Sequence, residues 1–332
     1  MASEHLICHF LLAFAVVVLL IWRSAWAAHS LYSADDHPPW TASTPTIHPA
    51  DKTLCAIGDV HGDLPHALAA LRLCGALDDN DHWVGGQMTV VQLGDVLDRG
   101  NASLPTMHKM WMLREQAAAA GGEFLMLLGN HELMNMQGRI FYVHGYSRSG
   151  WHTGELLAAG GVSVWRSLMD PNEGEIGVKL VAQEGVAIRG VGACRTLFVH
   201  AGVRLHLAQQ YGSVEEFNKA LKEQITSKGG DLLDSHQGPL WWRGYARPHS
   251  AQMTEAQACA EVEETLTQLG GFRMAVGHNI VPWVSTRCGG RLQMLDVGMS
   301  AAYGGRPAAW RCDATGKEAR IRALYQGQPE AE

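Results

Sequence analysis

Three times in the first half of the chain, a short apolar run ends abruptly in glycine and polar residues. The runs begin at Thr53, Thr89 and Glu123, and each has the length of a β-strand. A helical pattern follows the first two, because apolar residues recur at helical spacing in 64–74 and 104–120 and glycine follows both segments. Strand, polar loop, helix and strand in succession predict βαβ units and a parallel sheet.

Further strands are predicted in the second half of the chain, and they also end in polar residues. They begin at Arg195, Phe272 and Arg291. The segment Glu255–Leu269 has the pattern of an amphipathic helix, and 134–194 is predicted as an inserted helical cap. The pattern as a whole predicts an α/β fold with mixed central sheets and helices outside them.

Polar side chains stand at the ends of the predicted strands, and in α/β sheets the carboxyl ends of the strands are where sites form. The candidate metal ligands are carboxylates, imidazoles and one amide: Asp59, His61, Asp95, Asn130, His200 and His278. This mixture of oxygen and nitrogen donors suits divalent transition metals. Asp59 and His61 are expected to bind one ion, the last three residues a second, and Asp95 to bridge them. Two such ions can clamp an in-line displacement at phosphorus and lower the pKa of a bridging water.

The neighbouring residues suit the binding and protonation of a phosphate ester. Arg99 and Arg243 can hold phosphate oxygens as bidentate donors. His131 is expected to protonate the leaving oxygen, and Asp98 to accept a hydrogen bond from His131. Tyr303 is a further candidate for contact with the phosphate.

Two more residues of the third motif have expected roles. Asn130 is expected to contact the phosphate as well as the metal. Glu132 is expected to secure the turn that carries Asn130 and His131. A rigid strand behind this turn positions such side chains better than a free loop does.

The motifs GDVHG at 58–62, GDVLDRG at 94–100 and GNHE at 129–132 resemble the signature of the metallophosphoesterase superfamily, in its phosphoprotein phosphatase branch. The stretches GNHELMNMQGRIFYV, PLWWRGYAR and LDVGMSAAYGG resemble more particularly the Shewanella-like protein phosphatases. The resemblance covers roughly 54–310. It implies a four-layer αββα sandwich over 53–315 with the cap inserted in it, and it implies for the residues above the roles already given.

The resemblance also implies an activity, which is metal-dependent hydrolysis of a phosphomonoester. A hydroxide that bridges two divalent ions is expected to attack phosphorus, with manganese favoured and iron or zinc as alternatives. The expected substrate is a phosphoprotein, with phosphoserine and phosphothreonine favoured over phosphotyrosine.

Two other functions stay open at this point. A diadenosine polyphosphate hydrolase shares the motifs, and Trp151 and Trp165 of the predicted cap could stack on adenine, although core packing is the favoured role for both. An inactive binding module is the alternative from another class, and the complete set of ligands and arginines disfavours it.

Composition and the N-terminal segment restrict the partners and the location. A net charge of −7 disfavours binding to nucleic acid. Residues 6–21 form an apolar run without a charge, which predicts a signal peptide within 1–28, cleaved near Ala25–Ala27, or an uncleaved signal anchor. The predicted location is therefore the secretory pathway, with any membrane contact made through this segment alone. Residues 29–52 are predicted as a flexible linker and 316–332 as a tail.

Six cysteines follow the N-terminal segment, and an even number behind a secretory leader permits disulfides. Cys55 lies in a predicted strand and is expected to pack as a free thiol. Cys288 and Cys312 flank strands that are predicted to be adjacent, so they form the favoured pair.

Overall fold

In the computed structural model, which describes residues 53–315 and 318–327, ten strands form two five-stranded sheets. The strands are β1 Leu54–Ile57, β2 Thr89–Gln92, β3 Glu123–Met126, β4 Val186–Arg189, β5 Thr196–Val199, β6 Arg273–Val276, β7 Ser285–Arg287, β8 Leu292–Met294, β9 Ala308–Thr315 and β10 Glu318–Tyr325. The helices are α1 Leu64–Leu73, α2 Ser103–Ala119, α3 Asn130–Met136, α4 Gly154–Ala158, α5 Val162–Met169, α6 Glu175–Val181, α7 Leu205–Tyr211, α8 Val214–Ser227 and α9 Glu255–Leu269.

The first sheet has the strand order β10-β9-β1-β2-β3. Strands β1, β2 and β3 are parallel neighbours, as the βαβ pattern predicts. Strand β9 joins β1 antiparallel, and β10 joins β9 antiparallel from Glu318 to Tyr325. Residues 318–325 of the predicted tail thus form the edge strand of the first sheet.

The second sheet has the order β4-β5-β6-β8-β7. Its three central strands, β5, β6 and β8, are parallel, and β4 and β7 are antiparallel strands at the two edges. Both sheets are thus mixed, as predicted. Their parallel strands bring several carboxyl ends to the same region of the fold.

The two faces of each central strand pack into different cores. In β1, Leu54 and Ala56 belong to a cluster with residues of the second sheet, whereas Cys55 and Ile57 belong to the larger cluster that includes the helices. Phe198 of β5 faces the cluster shared by the sheets. Because both faces are buried, these strands appear in the sequence as continuous apolar runs rather than as alternating ones. The arrangement is consistent with a metallophosphoesterase sandwich.

Two of the predicted helices that flank the sheets begin at side-chain caps. The carboxylate of Asp63 accepts a hydrogen bond of 3.1 Å from the backbone N–H of His66 at the start of α1. Thr254 and Gln257 form a capping box at the start of α9, and Gly270 ends that helix in the left-handed conformation. The prediction of a helix over Glu255–Leu269 is confirmed.

The segment predicted as a cap, 134–194, contains helices α4 to α6, and its last part contributes β4 to the second sheet. Trp165 on α5 is fully buried, whereas Trp151 is 84% exposed. The predicted signal segment and linker over 1–52 lie outside the described residues. Among the residues described, no helix is long and apolar enough to cross a membrane.

All six cysteines of the described residues form disulfides, and the predicted pairing is wrong. The pairs are Cys55–Cys74, Cys194–Cys312 and Cys259–Cys288. Cys55 is therefore not a free thiol. The pair Cys288–Cys312 does not form, because Cys288 follows an edge strand of the second sheet while Cys312 lies on β9 of the first.

Candidate metal centre

The predicted metal ligands lie together where the carboxyl ends of the parallel strands meet. They follow β1, β2, β3, β5 and β6, and none is more than 7% exposed: Asp59, His61, Asp95, Asn130, His200 and His278. The structure thus brings together six side chains that lie up to 219 residues apart in the chain.

Asp95 lies at the centre of this cluster. Its Oδ2 lies 3.7 Å from Nε2 of His61 and 3.4 Å from Nε2 of His200. Two sets of side chains place their ligand atoms within 4.8 Å of one another: His61, Asp95 and His131 in one set, and Asp95, His200 and His278 in the other. Asp95 belongs to both sets, which is the arrangement that a bridging carboxylate requires. Asp59 lies beside them, with its Oδ1 4.0 Å from Nδ1 of His200.

Glu132 holds the loop that carries Asp95. One of its carboxylate oxygens accepts hydrogen bonds from the backbone N–H groups of Asp95 and Gly129, and the other accepts from Val96 and Leu97. The bond from Gly129 fits the turn-securing role that the sequence predicts for Glu132, whereas the three bonds from the loop of Asp95 were not predicted. A Cβ at Gly129 would lie 2.1 Å from Oδ1 of Asp95, so glycine is required for the two loops to approach.

Backbone strain is concentrated at this centre. Several of its non-glycine residues adopt positive φ angles: His61 (47°), Asp95 (57°), Asp98 (73°), Arg99 (70°) and His278 (63°). Such conformations cost free energy and persist only where the surroundings over-determine them. Here the carbonyl of Asp95 accepts hydrogen bonds from the N–H groups of Val60 and His61, at 3.0 and 2.9 Å.

The imidazole orientations suit the binding of a cation. Nδ1 of His200 lies 2.7 Å from the carbonyl oxygen of Leu93, so it carries the proton and donates to that carbonyl. Its Nε2 then points at two oxygens, Oδ1 of Asn130 at 2.9 Å and Oδ2 of Asp95 at 3.4 Å. A lone pair facing oxygens is repulsive unless a proton or a cation lies between them. Nδ1 of His61 likewise faces a backbone carbonyl at 3.1 Å, as metal-binding histidines do.

The charge states also fit a divalent cation. Burial lowers the pKa of His61 to about 3 and holds the pKa of His278 well below its usual range, so both imidazoles are neutral. Nε2 of His278 is buried and has no hydrogen-bond partner in the described part of the chain. Burial, together with the charges of Asp296 and Asp95, raises the pKa of Asp59. Neutral imidazoles with free lone pairs beside crowded carboxylates are the donor set that a divalent metal satisfies.

His131 and Asp98 form a close pair beside the cluster. Nδ1 of His131 lies 2.6 Å from Oδ2 of Asp98, which is fully buried. Nε2 of His131 faces Oδ2 of Asp95 at 3.9 Å. Burial by itself lowers the pKa of His131, but the charges of Asp95 and Asp98 outweigh burial and raise it. Asp98 thus holds the proton on Nδ1, and the two carboxylates favour a further proton on Nε2 more than burial alone would.

The cluster opens into a cavity of about 160 Å³ that is lined by both predicted arginines and by Tyr303. The guanidinium of Arg99 lies 4.0 Å from the ring centroid of Tyr142. Nη1 of Arg243 donates a hydrogen bond of 3.0 Å to Oδ1 of Asn279. Both cations are thus oriented by neighbours toward a space large enough for a phosphate group.

Three residues that line the cavity were not predicted. Asp296 follows β8 and is buried; burial, and next the charge of Asp95, raise its pKa to about 6. Its position at a strand end was the available signal. Arg247 lies four residues after Arg243, and Ile280 lies near His278; neither carries a recognisable pattern.

Comparison with known proteins identifies a consistent group of relatives. Residues 52–270 match the calcineurin-like phosphoesterase family model. An uncharacterised protein of Schizosaccharomyces pombe is 31% identical over 281 residues, covering 82% of this chain and 81% of that protein. Shewanella-like protein phosphatase 2 of Arabidopsis thaliana is 31% identical over 291 residues, covering 74% of this chain and 71% of that protein.

The fold has a counterpart among solved structures. The crystal structure of a cold-active protein-tyrosine phosphatase from a psychrophilic Shewanella superposes with a TM-score of 0.68. The alignment covers 88% of each chain at 23% identity, so it establishes likeness of fold.

Proposed function

This chain belongs to the calcineurin-like phosphoesterase family, and from that premise we propose that it is a metal-dependent phosphatase that hydrolyses phosphomonoesters on proteins. It is related to the Shewanella-like protein phosphatases. The observation that carries the proposal is the position of Asp95, which belongs to two buried groups of side chains, one with His61 and His131 and the other with His200 and His278. Asp98 holds His131 at the edge of the first group. A pair of cations next to a proton donor suits phosphoryl transfer to water.

Six residues would hold two divalent cations, with manganese favoured over iron or zinc. They are Asp59, His61, Asp95, Asn130, His200 and His278. With the cations bound, the site would supply hydroxide near neutral pH and withdraw charge from the phosphoryl oxygens.

The other residues act on the ester itself. Arg99 and Arg243 hold the non-bridging phosphate oxygens, with Asn130 as a third donor. Nε2 of His131 gives its proton to the leaving oxygen as the phosphorus–oxygen ester bond breaks, so that the product leaves as a neutral hydroxyl compound. Asp98 holds the opposite nitrogen, Nδ1, and thereby aims Nε2 into the cavity.

The rim of the cavity bears on the substrate. Three partly exposed side chains surround the mouth of the cavity. Tyr303 and Ile280 line it and are 40% and 42% exposed, and Tyr142, 39% exposed, packs against Arg99. Aromatic and apolar side chains at this position favour an aryl ester. We therefore place phosphotyrosine beside the phosphoserine and phosphothreonine that the motifs imply. The alternative dinucleotide substrate is less favoured, because the fully buried Trp165 cannot stack on adenine and the exposed Trp151 does not line the cavity.

The three disulfides support the proposed location in the secretory pathway, where an oxidising environment lets such bonds persist. A signal peptide or anchor within 1–28 stays a prediction. Isolation of the chain from its host and sequencing of its N-terminus would test it.

The test of the activity uses the full chain with phosphoserine, phosphothreonine and phosphotyrosine peptides and with diadenosine tetraphosphate. Each substrate is assayed with Mn²⁺, Fe²⁺ or Zn²⁺ and with EDTA. Asp95→Asn is expected to lower metal-dependent turnover by about a hundredfold or more. Asp313→Asn removes a carboxylate from an ion-pair cluster on β9 and is the matched control.

Turnover of phosphopeptides that needs metal and Asp95 supports the proposal, and the peptide preferences identify the residue class. Cleavage of the dinucleotide alone would replace the proposal with a nucleotide hydrolase. Metal binding without turnover of any of the four substrates would favour the inactive binding module.

A further inference from the structure

A buried chain of hydrogen bonds runs from His131 to the helical segment that follows α3. Asp98 accepts from Nδ1 of His131 through Oδ2 at 2.6 Å, and its Oδ1 accepts from Nδ2 of Asn135 at 3.0 Å. Oδ1 of Asn135 in turn accepts from Nε1 of Trp165 on α5, at 2.7 Å. The four side chains are between 0% and 6% exposed. These hydrogen bonds link the site to α5, a helix that contributes no side chain to the cavity lining.

The indole at the end of this chain sets the direction of every bond in it. An indole N–H can only donate, so the atom of Asn135 that faces Trp165 must be the amide oxygen. The amide nitrogen of Asn135 must then face Asp98 and the carbonyl of His131, to which it also donates at 2.9 Å. The side-chain orientation of Asn135, which is otherwise ambiguous, is therefore determined by the indole.

The same bonds determine the orientation of Asp98. Its Oδ1 is engaged by Asn135, so Oδ2 is left for His131, and its backbone N–H donates to Oγ of Ser103 at 3.1 Å. Asp98 also adopts a φ of 73°, a conformation that needs such support. Nδ1 of His131 must carry a proton, and Nε2 faces the cavity.

We propose that Trp165 is a positioning residue: its indole N–H, acting through Asn135 and Asp98, holds the imidazole of His131 in the orientation that protonates the leaving oxygen. This inference rests on the proposed function. It gives the helical segment a part in the chemistry in addition to its packing. A buried polar network holds one geometry when every donor and acceptor in it has a hydrogen-bond partner.

The test compares two esters that differ in their need for an acid. Phenyl phosphate releases a strongly basic phenolate, whereas p-nitrophenyl phosphate releases a weakly basic one that departs without a proton. Trp165→Phe keeps an aromatic ring and removes the N–H together with the pyrrole ring that bears it. We expect the ratio of kcat for phenyl phosphate to kcat for p-nitrophenyl phosphate to fall about tenfold, with KM unchanged. The ratio does not depend on the fraction of enzyme that is folded.

Trp111→Phe is the matched control. Trp111 on α2 is a buried tryptophan whose Nε1 has no hydrogen-bond partner among the described residues, and it does not line the cavity. Its substitution should leave the ratio at the wild-type value. Asn135→Leu breaks the same chain at another point and should lower the ratio as Trp165→Phe does.

A second readout needs neither metal nor turnover. In metal-free protein the indole N–H resonance of Trp165, assigned by its absence from Trp165→Phe, should shift upfield in Asn135→Leu because it loses its acceptor. No shift would overturn the proposed bond. If the wild-type enzyme hydrolyses both esters and the ratio is unchanged in both variants, this inference is overturned and the proposed function stands. A wild-type enzyme that hydrolyses neither ester would overturn the proposed function and this inference with it.

Discussion

Substitution of Glu132 by glutamine tests whether one buried carboxylate holds the loops of the metal centre together. Glu132 is fully buried, and its two oxygens accept four backbone N–H groups over distances of 2.8 to 3.0 Å. A glutamine has one accepting oxygen instead of two. Whichever way the amide turns, two of the four N–H groups face an NH₂ group that cannot accept.

The expected loss in the free energy of unfolding comes from those two unpaired N–H donors. A buried donor that loses its acceptor costs about 1–3 kcal/mol, so two cost about 2–6 kcal/mol. Burial raises the pKa of Glu132, and the charge of Asp95 raises it further, so removing the negative charge relieves part of this cost. We expect Glu132→Gln to lower the free energy of unfolding by about 2–4 kcal/mol.

The assay is urea unfolding of the full chain with disulfides intact and with EDTA present, so that metal binding does not contribute to stability. Glu155→Gln is the matched control. One oxygen of the buried Glu155 accepts from the N–H of Leu104 at 2.8 Å, so a glutamine that places its oxygen there keeps this backbone bond. A loss below about 1 kcal/mol for Glu132→Gln, or one no larger than for Glu155→Gln, would refute the reasoning.

Three further predictions follow from particular contacts. Cys194→Ser combined with Cys312→Ser opens a crosslink that spans 118 residues, and chain entropy predicts a loss of about 5 kcal/mol in urea unfolding; an unchanged midpoint would contradict it. In Gly277→Ala the new Cβ would lie 2.3 Å from Oδ1 of Asp59, so kcat should fall about tenfold or more and metal retention should weaken, while the melting temperature changes little. Burial raises the pKa of Asp313, but its partners Arg322 and Arg311 outweigh burial and lower it. The ion pairs therefore stabilise the fold above about pH 4, and this contribution is lost on acidification. Asp313→Asn should therefore reduce the acid dependence of the melting temperature, and an unaltered dependence would count against this ion pair.

Much of the candidate metal centre could be predicted from the sequence, because local rules place its residues. Asp59, Asp95 and His200 each follow an apolar run of strand length, and parallel strands bring their carboxyl ends to the same edge. The turns that hold them are encoded nearby, in glycines and in Glu132. Long helices such as Glu255–Leu269 were equally readable, because both the period and the caps lie within the segment itself.

Other features depended on which strands become neighbours. Cys312 pairs with Cys194 rather than Cys288, since β9 inserts beside β1 and away from the edge strand that precedes Cys288. The sequence of β10 predicts a tail as readily as an edge strand, because five of its eight residues are polar residues or alanine at exposed or half-buried positions.

The sequence by itself determined which candidate groups this protein carries: the carboxylates, imidazoles and amide that its motifs place at strand ends. Only the tertiary structure decided how these groups are supported, including the role of Asp296 in the cavity and the bond from Trp165 to Asn135. The physical reason is the separation along the sequence between the residues that interact. A strand end and its turn are specified within a few residues, whereas a disulfide, an edge strand or a buried hydrogen-bond chain joins segments whose approach depends on the packing of the whole fold.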